Sequence, residues 1–302
     1  MVDIVIVNWN SGHYLKKCVD SVFAANNQQA VQSVIIIDNN SQDDSLKNIS
    51  ASTKIKQVVN ADNAGFAKAC NQGFKLCTAE FVLLLNPDAQ LLPETLNQCI
   101  AFMKQRTDID IMGAALLDDE GKLAPSCSRF PSAIRVYFDA CGLSKIAPKL
   151  FTPATIMTDW DHSESRFVDQ VMGAFMFMRT NIFDKAGYFD ERFFVYFEEV
   201  DFCKRVTALG GKIFFNRAIE AIHSGEGTTK SVKAFRLFLS LRSRLLFAKK
   251  HFSVLGYALV WVSTFFIEPI SRFCFLLLKG DIKGVKETAK GFGYLIKNKG
   301  GY

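Results

Sequence analysis

Phe81-Val82-Leu83-Leu84-Leu85-Asn86-Pro87-Asp88 is the stretch that decides the fold. Its five leading residues are apolar without interruption, the pattern of a strand covered on both faces, and such strands belong to sheets packed between helices. Pro87 cannot donate to a ladder, so the strand stops there and a carboxylate follows at once. Working outward, short β-branched runs at residues 4–7, 33–37 and 57–59 precede it. They alternate with helical patterns at 13–25, 43–50, 64–76 and 93–105, the last opening on Pro93 and Glu94 as a favourable first turn. The alternation predicts a doubly wound, mainly parallel α/β sheet, in which ligands lie at the carboxyl ends of the strands.

Beyond residue 110 the pattern is less regular. A hairpin is expected around 118–122, followed by loops rich in Ser and Pro to about residue 161. Residues 167–178 (FVDQVMGAFMFM) read as one buried strand with a glycine at a close approach. A short helix near 181–186, a helix over 198–209 and a strand over 212–215 come next.

After His223 the texture changes to long helices. Residues 231–252 are amphipathic and basic, and 254–267 are apolar up to Glu268 and Pro269. That apolar run falls short of the roughly 20 residues a spanning helix needs. Joined to 270–278 it is long enough, but Glu268 and Arg272 would then enter hydrocarbon at about 2.5–3.5 kcal/mol each. Helices lying in the membrane interface are preferred over a span.

Charge is distributed unevenly along the 302 residues. Residues 229–302 hold 14 Lys/Arg against 3 Asp/Glu, so this part carries +11 and the remainder −5. A basic tail interleaved with Phe, Leu, Val and Trp favours an anionic lipid surface over nucleic acid. The eight cysteines form no CxxC pair. They read as reduced, buried thiols of a cytoplasmic protein, and MVDIVIVNWN reads as a strand rather than a signal peptide.

Four polar features stand at predicted strand ends. Val7-Asn8-Trp9-Asn10 is paired with Ile37-Asp38-Asn39-Asn40-Ser41, where Asp38 either accepts hydrogen bonds from a ribose or base or closes an Asx-turn. The loop Asn60-Ala61-Asp62-Asn63-Ala64-Gly65 enters a helix carrying Lys68. Its backbone N–H groups suit a diphosphate, or Asn63 is a simple N-cap. Asn86-Pro87-Asp88 offers one carboxylate, suited to a hard divalent cation beside phosphate oxygens or to a capping turn. Tyr196-Phe197-Glu198-Glu199-Val200-Asp201 crowds carboxylates among aromatics, which raises the pKa of one toward that of a general base. A solvated helix N-terminus is the plainer reading of that stretch.

In this order the segments VNWN, IIIDNNSQD, NAGFAKACNQG, LLLNPD, Arg129-Phe130-Pro131, MGAFMFMR, FDERFFVYFEEVDFCKR and HSGEGTT resemble the family-2 inverting glycosyltransferases of GT-A fold, rhamnosyltransferase-like branch. The resemblance covers about residues 1–250. It implies a catalytic domain over 1–228, with a nucleotide-sugar half of about 1–110 and an acceptor half of about 111–228, then a helical extension over 229–302. It implies that Asn8, Asn10 and Asp38 contact the nucleoside, and that Asn63, Gly65 and Lys68 hold the donor together with Asn86 and Gly173. Asp88 matches the last Asp of the family's DxD motif, whose first position is Asn86 here. His223 matches the second metal-side residue, and the ion is Mg²⁺ or Mn²⁺. Glu199 matches the catalytic base, where Asp is usual; Glu198 as base and Asp201 as orienting partner remain alternatives. Trp160 either stacks on a sugar or belongs to the core.

The partners so implied are a dTDP- or UDP-sugar and a glycan or lipid-linked glycan acceptor. They also include an anionic membrane surface met by residues 229–302 at the inner face of the cell membrane, with self-association left open. A nucleotidyltransferase is the first rival, and it calls for a Gly-rich, basic loop after the first strand, which VNWNSG is not. A non-catalytic nucleotide-sugar binder or membrane scaffold is the second, prompted by Asn86 and Glu199.

Overall fold

The computed structural model describes residues 1–225 and 233–298. Its strands are β1 (Val2–Asn8), β2 (Val31–Asp38), β3 (Ile55–Val59), β4 (Phe81–Leu85), β5 (Ala89–Leu91), β6 (Ile111–Leu117), β7 (Leu123–Ala124), β8 (Cys127–Ser128), β9 (Arg166–Phe167), β10 (Gln170–Val171), β11 (Phe175–Arg179) and β12 (Ile213–His223). Its helices are α1 (His13–Val22), α2 (Ala25–Gln28), α3 (Phe66–Phe74), α4 (Thr95–Gln105), α5 (Ala133–Cys141), α6 (Leu143–Ile146), α7 (Ile182–Ala186), α8 (Glu198–Ala208), α9 (Lys233–His251), α10 (Val254–Val262), α11 (Glu268–Leu278) and α12 (Ile282–Lys297). A π turn, Ser263–Ile267, joins α10 to α11.

The main sheet runs in the order β3-β2-β1-β4-β11-β6-β12-β5. β1 pairs in parallel with β2 and β4, as do β2 with β3 and β6 with β12; β11 is antiparallel to both β4 and β6. The carboxyl ends of β1, β2, β4, β6 and β12 therefore share one edge of the sheet with the start of β11. The doubly wound, mainly parallel α/β sheet expected from the sequence is the fold observed.

Burial on both faces follows from the apolar runs. Every residue of β1 and of β4 is buried. α3 rests directly on β1 because Gly73 has no side chain: a Cβ there would stand 2.4 Å from Val5 Cγ1.

Several local expectations are corrected. Residues 43–50 form turns rather than a helix, because Asp43 spends its carboxylate on the backbone N–H groups of Gly12 and Ser45. α4 starts at Thr95, not Pro93, since Glu94 takes a left-handed conformation (φ 68°). The run 167–178 divides into β9, β10 and β11, each pairing with a different strand. Gly173 is also no point of tight approach, as a Cβ there would meet its neighbours only at 3.8 Å and beyond. The final strand is longer than expected and reaches His223.

The chain forms two compact units. The first comprises Met1–Ser128, His162–Arg192 and Glu198–Thr228, and holds the sheet. The second comprises Arg129–Asp161, Phe193–Phe197 and Thr229–Tyr302. Residues 129–161 thus group with the C-terminal helices, and they contain α5 and α6 where loops were expected. The physical reason is a shared core, in which Val136 and Ala154 pack with Phe238, Leu245, Val260 and Phe292. The expected boundary at 228/229 and the Glu226 to Thr229 part of HSGEGTT lie outside the described residues.

In the second unit α10, the π turn and α11 form one helix of 25 residues, Val254–Leu278. Glu268 does not interrupt it. Its carboxylate is buried between Arg244 and Arg272 (2.7 Å to the latter), and Arg244 also donates to Thr264 at 2.8 Å. All eight cysteines are free thiols; five are buried and Cys274 is exposed.

Candidate active site

The first unit gathers most of the sequence-predicted residues along the carboxyl edge of its sheet. At the end of β1 the Asn8 amide donates to Asp38 Oδ1 at 2.6 Å, to Ser45 Oγ at 2.8 Å and to Ser41 Oγ at 3.1 Å. Asp38 in turn accepts from the backbone N–H and the hydroxyl of Ser41, at 2.9 and 2.6 Å. Asn8 and Asp38 are both buried, so they shape the β1 and β2 strand-end loops from beneath. Asn10 stands above them in a left-handed conformation (φ 51°), its N–H on Ser41 Oγ and its side-chain oxygen on the N–H of Gln42.

The next wall is the entry to α3. Asn63 Oδ1 accepts from Gly65 N–H at 3.0 Å, and Gly65 adopts φ 87° at the helix N-cap, a conformation that side-chain-bearing residues disfavour. The loop is fastened from the β2 side by Asn39, whose amide donates to the Gly65 carbonyl at 3.2 Å. Lys68 is exposed in the first turn of α3. A lysine at this position beside free helix-start N–H groups suits an anion.

The turn after β4 is held by the N–H of Asn86 donating to the Ala174 carbonyl, and by Ala89 N–H donating to the Asn86 carbonyl, both at 3.0 Å. It delivers the buried Asp88 to the end of β12, where Ser224 N–H binds the Asp88 carbonyl. β5 and β12 are antiparallel here with His223 opposite Ala89, so the register itself brings the two side chains together. His223 Nε2 lies 3.3 Å from Asp88 Oδ1, and this buried nitrogen has no hydrogen-bond partner.

An acidic oxygen facing a buried, unsatisfied imidazole nitrogen fits a divalent cation. Among the described residues no group of three or more His, Cys, Asp or Glu is gathered for a metal. Two protein ligands match a cation that completes its shell with phosphate oxygens and water.

Glu198 and Glu199 open α8; Glu198 is buried and Glu199 half-buried. The Glu199 Oε1 atom is 3.9 Å from where a Cβ on Gly173 would stand, with Leu84 and Phe66 equally close to that point. The Oε2 atoms of both glutamates are buried without a hydrogen-bond partner. Burial raises the pKa of Glu198 well above the usual range, and the charge of Glu199 raises it further. Burial also raises Glu199, but a hydrogen bond from Glu198 works in the opposite direction. Both carboxyls are thus raised, Glu198 the more strongly of the two.

Asp201 does not join them. Two residues further along a helix it points about 200° away, and it pairs with Arg205 at 2.9 Å. Arg205 also donates to the carbonyls of Ala186 and Tyr188. Through these contacts Asp201 and Arg205 fasten α8 onto the segment after α7. Trp160 belongs to the second unit and is half-buried.

Two features were missed from the sequence. Asn71, on the buried face of α3, donates to the Phe189 carbonyl at 2.9 Å and to Glu191 at 3.0 Å, and accepts from Phe189 N–H at 3.0 Å. Tyr196 and Phe197 are both left-handed (φ 68° and 70°) immediately before Glu198. Such conformations cost on the order of 1–3 kcal/mol each and concentrate at functional sites. The amide of Asn71 could have been suspected from a polar residue on an apolar helix face, but nothing in the sequence announces the two aromatics.

Residues 3–178 match the family described as Glycosyl transferase family 2. Over 257 residues the chain is 24% identical to the low-salt glycan biosynthesis hexosyltransferase Agl10 of Haloferax volcanii, covering 83% of this chain and 76% of that one. It is 24% identical over 265 residues to the N-acetylglucosaminyl-diphospho-decaprenol L-rhamnosyltransferase of Mycobacterium tuberculosis, covering 83% and 85%. The rhamnosyltransferase WbbL of Escherichia coli is 26% identical over 264 residues, covering 83% and 94%. Among solved structures, GalNAc-T7 with UDP, GalNAc and Mn²⁺ superposes with a TM-score of 0.57 at 14% identity, over 82% of this chain and 47% of that one. The mannosyltransferase PcManGT of Pyrobaculum calidifontis, in complex with GDP-Man and Mn²⁺, gives 0.55 at 11% identity over 99% and 81%. At these identities the structures speak to the fold, which is GT-A.

Proposed function

The chain belongs to glycosyltransferase family 2, in its rhamnosyltransferase-like branch, and on that premise we propose that it transfers a rhamnosyl or hexosyl group from a nucleotide-diphospho-sugar to a lipid-linked glycan with inversion at the anomeric carbon. The observation that carries the mechanism is the placing of Glu199. Its carboxylate is buried, has an unpartnered oxygen and borders Gly173, on the same sheet edge as Asp88 and His223. A base in that position removes the proton from an acceptor hydroxyl as the oxygen attacks the anomeric carbon. The bond from that carbon to the diphosphate breaks on the opposite face, and its electron pair leaves with the nucleotide.

Asp88 and His223 would hold Mg²⁺ or Mn²⁺, which when bound neutralises charge on the departing diphosphate as a Lewis acid. The α3 entry with Lys68 receives the phosphates, while the Asn8–Asp38 network and Asn10 form the floor beneath the nucleoside. The names of the relatives favour a glycan or lipid-linked glycan as acceptor, and the dTDP- and UDP-sugars expected from the family resemblance are the donors to try first. On this reading the enzyme works at the inner face of the cell membrane, where a lipid-linked acceptor would be met.

Nucleotide release measured with a donor and acceptor panel tests this reading. Glu199→Gln should lower kcat by about 10²–10⁴ while donor binding persists. Equal turnover by variant and wild type would remove Glu199 from the chemistry. No turnover by wild type on any pair would favour a nucleotide-sugar binder without catalysis.

A further inference from the structure

The second unit carries an apolar stripe that its own core does not cover. Along the 25-residue helix Val254–Leu278 the exposed positions run from Leu255 through Ala258, Val262, Phe266, Ile270 and Cys274 to Leu278, and none is charged. Leu255 is 83% exposed, Ile270 66% and Leu278 88%. Their mean spacing exceeds the 3.6 residues of an α-helical turn, so in a regular helix the stripe would wind around the axis. The π turn at Ser263–Ile267 absorbs one extra residue and restores the phase. The same re-phasing turns Val260, Ser263, Thr264 and Glu268 inward together, and all four are buried.

Cations stand at one end of this stripe. Lys279 Nζ lies 4.4 Å and Lys145 Nζ 5.2 Å from the centre of the half-exposed Phe275 ring, so two ammonium groups from separate segments converge on one aromatic side chain. Beside Lys145, Ile146 is 81% and Leu150 74% exposed, with Lys149 also exposed between them. The neighbouring acid, Asp281, is spent on the N-terminus of α12, accepting from Gly284 N–H at 2.8 Å. Apolar side chains presented outward with lysines at their margin match the interface of an anionic bilayer, where acyl chains lie just below phosphates.

We propose that this stripe, together with Ile146 and Leu150, lies in the plane of an anionic membrane, with Lys145 and Lys279 at the level of the lipid phosphates. It rests on the reading of the chain as a transferase with a lipid-linked acceptor, and it adds which face touches the bilayer and the part taken by residues 145–150. The helix lies along the membrane and does not cross it. Its inner face is occupied lengthwise by protein, and α9, packed beside it, brings Arg242, Arg244, Lys249 and Lys250. Those charges would have to accompany a span into hydrocarbon.

Flotation of the full chain with phosphatidylcholine vesicles, with and without phosphatidylglycerol, tests the surface. Wild type should float with the anionic vesicles at least about tenfold better than with the neutral ones, and alkaline carbonate should release it. Phe266→Glu/Ile270→Glu should abolish flotation on both. Should that variant fold poorly by circular dichroism, Lys145→Glu/Lys279→Glu changes only exposed cations and should remove the preference for anionic vesicles. Wild-type binding retained by either pair of substitutions, or protein that resists carbonate as a spanning helix does, would overturn the proposal. So would wild type that ignores vesicles but dimerises in sedimentation equilibrium through a contact broken by Ile270→Glu, which would assign the stripe to a second copy of the chain. Donor binding measured on the same samples in solution separates the two readings, because flotation can fail while the nucleotide-sugar still binds.

Discussion

At the scale of single residues, the adjacent glutamates Glu198 and Glu199 open α8, and burial raises the pKa of both. Glu198 is the more strongly raised member, through burial and the charge of Glu199, while the hydrogen bond between the two lowers Glu199. Activity should therefore rise with pH along a limb lying above the ordinary glutamate value of about 4.3. Glu198→Ala removes the donor that holds Glu199 down, and should move that limb to higher pH; Glu198→Gln retains an N–H donor and should move it less. A pH–rate profile with the same limb in all three proteins would contradict the assignment. The stability sign is opposite to that of a salt-bridged carboxylate. Groups whose folded pKa is raised favour folding below their unfolded value and lose that contribution as pH rises through the folded one. Glu198→Gln should accordingly gain more in Tm at alkaline than at acid pH.

At the scale of elements, the placing of α8 depends on contacts that its own sequence does not display. Asn71 grips the backbone of Phe189 from α3 with its oxygen and its nitrogen, and Arg205 fastens α8 to the carbonyls of Ala186 and Tyr188. Asn71→Ala leaves the buried N–H and carbonyl of Phe189 without this partner and should cost about 1–3 kcal/mol. In urea unfolding the midpoint should fall while the m-value holds, and an unchanged midpoint would show that the latch contributes nothing. The strands and the helices on the sheet were legible because continuous apolar runs and helical periodicity are local signals. The expected helix at 43–50 failed because Asp43 bonds to backbone N–H groups of a distant loop and of Ser45, a competition that periodicity does not register. Likewise, the single strand expected at 167–178 was divided by pairing to four different strands, β12, β8, β4 and β6, which is tertiary information.

Over the whole molecule, the sequence marked the ends of the strands as the place of the site and its last quarter as basic and apolar. It could not show that residues 129–161 and 193–197 belong with that last quarter, since the shared core joins segments about a hundred residues apart. Nor could it show that Glu268 is neutralised internally by Arg244 and Arg272, so that its charge was counted there as entering hydrocarbon alone. The candidate residues Asn8, Asp38 and Asp88 were legible as polar groups ending strands and His223 only through the family resemblance, whereas the 3.3 Å approach of Asp88 to His223 follows from the register of β5 against β12. On the proposed reading that approach would hold the cation that meets the donor diphosphate, and so it bears on the central claim of nucleotide-sugar chemistry. A thermal-shift screen of nucleotide-sugars and nucleoside diphosphates with Mn²⁺ present, run on wild type and on Asp88→Asn, tests it most directly. At about 100 times Kd the correct donor should stabilise wild type by about 2.7 kcal/mol, and Asp88→Asn should lose most of that gain. Stabilisation by no nucleotide-sugar or diphosphate, or equal stabilisation of the two proteins, would contradict the account.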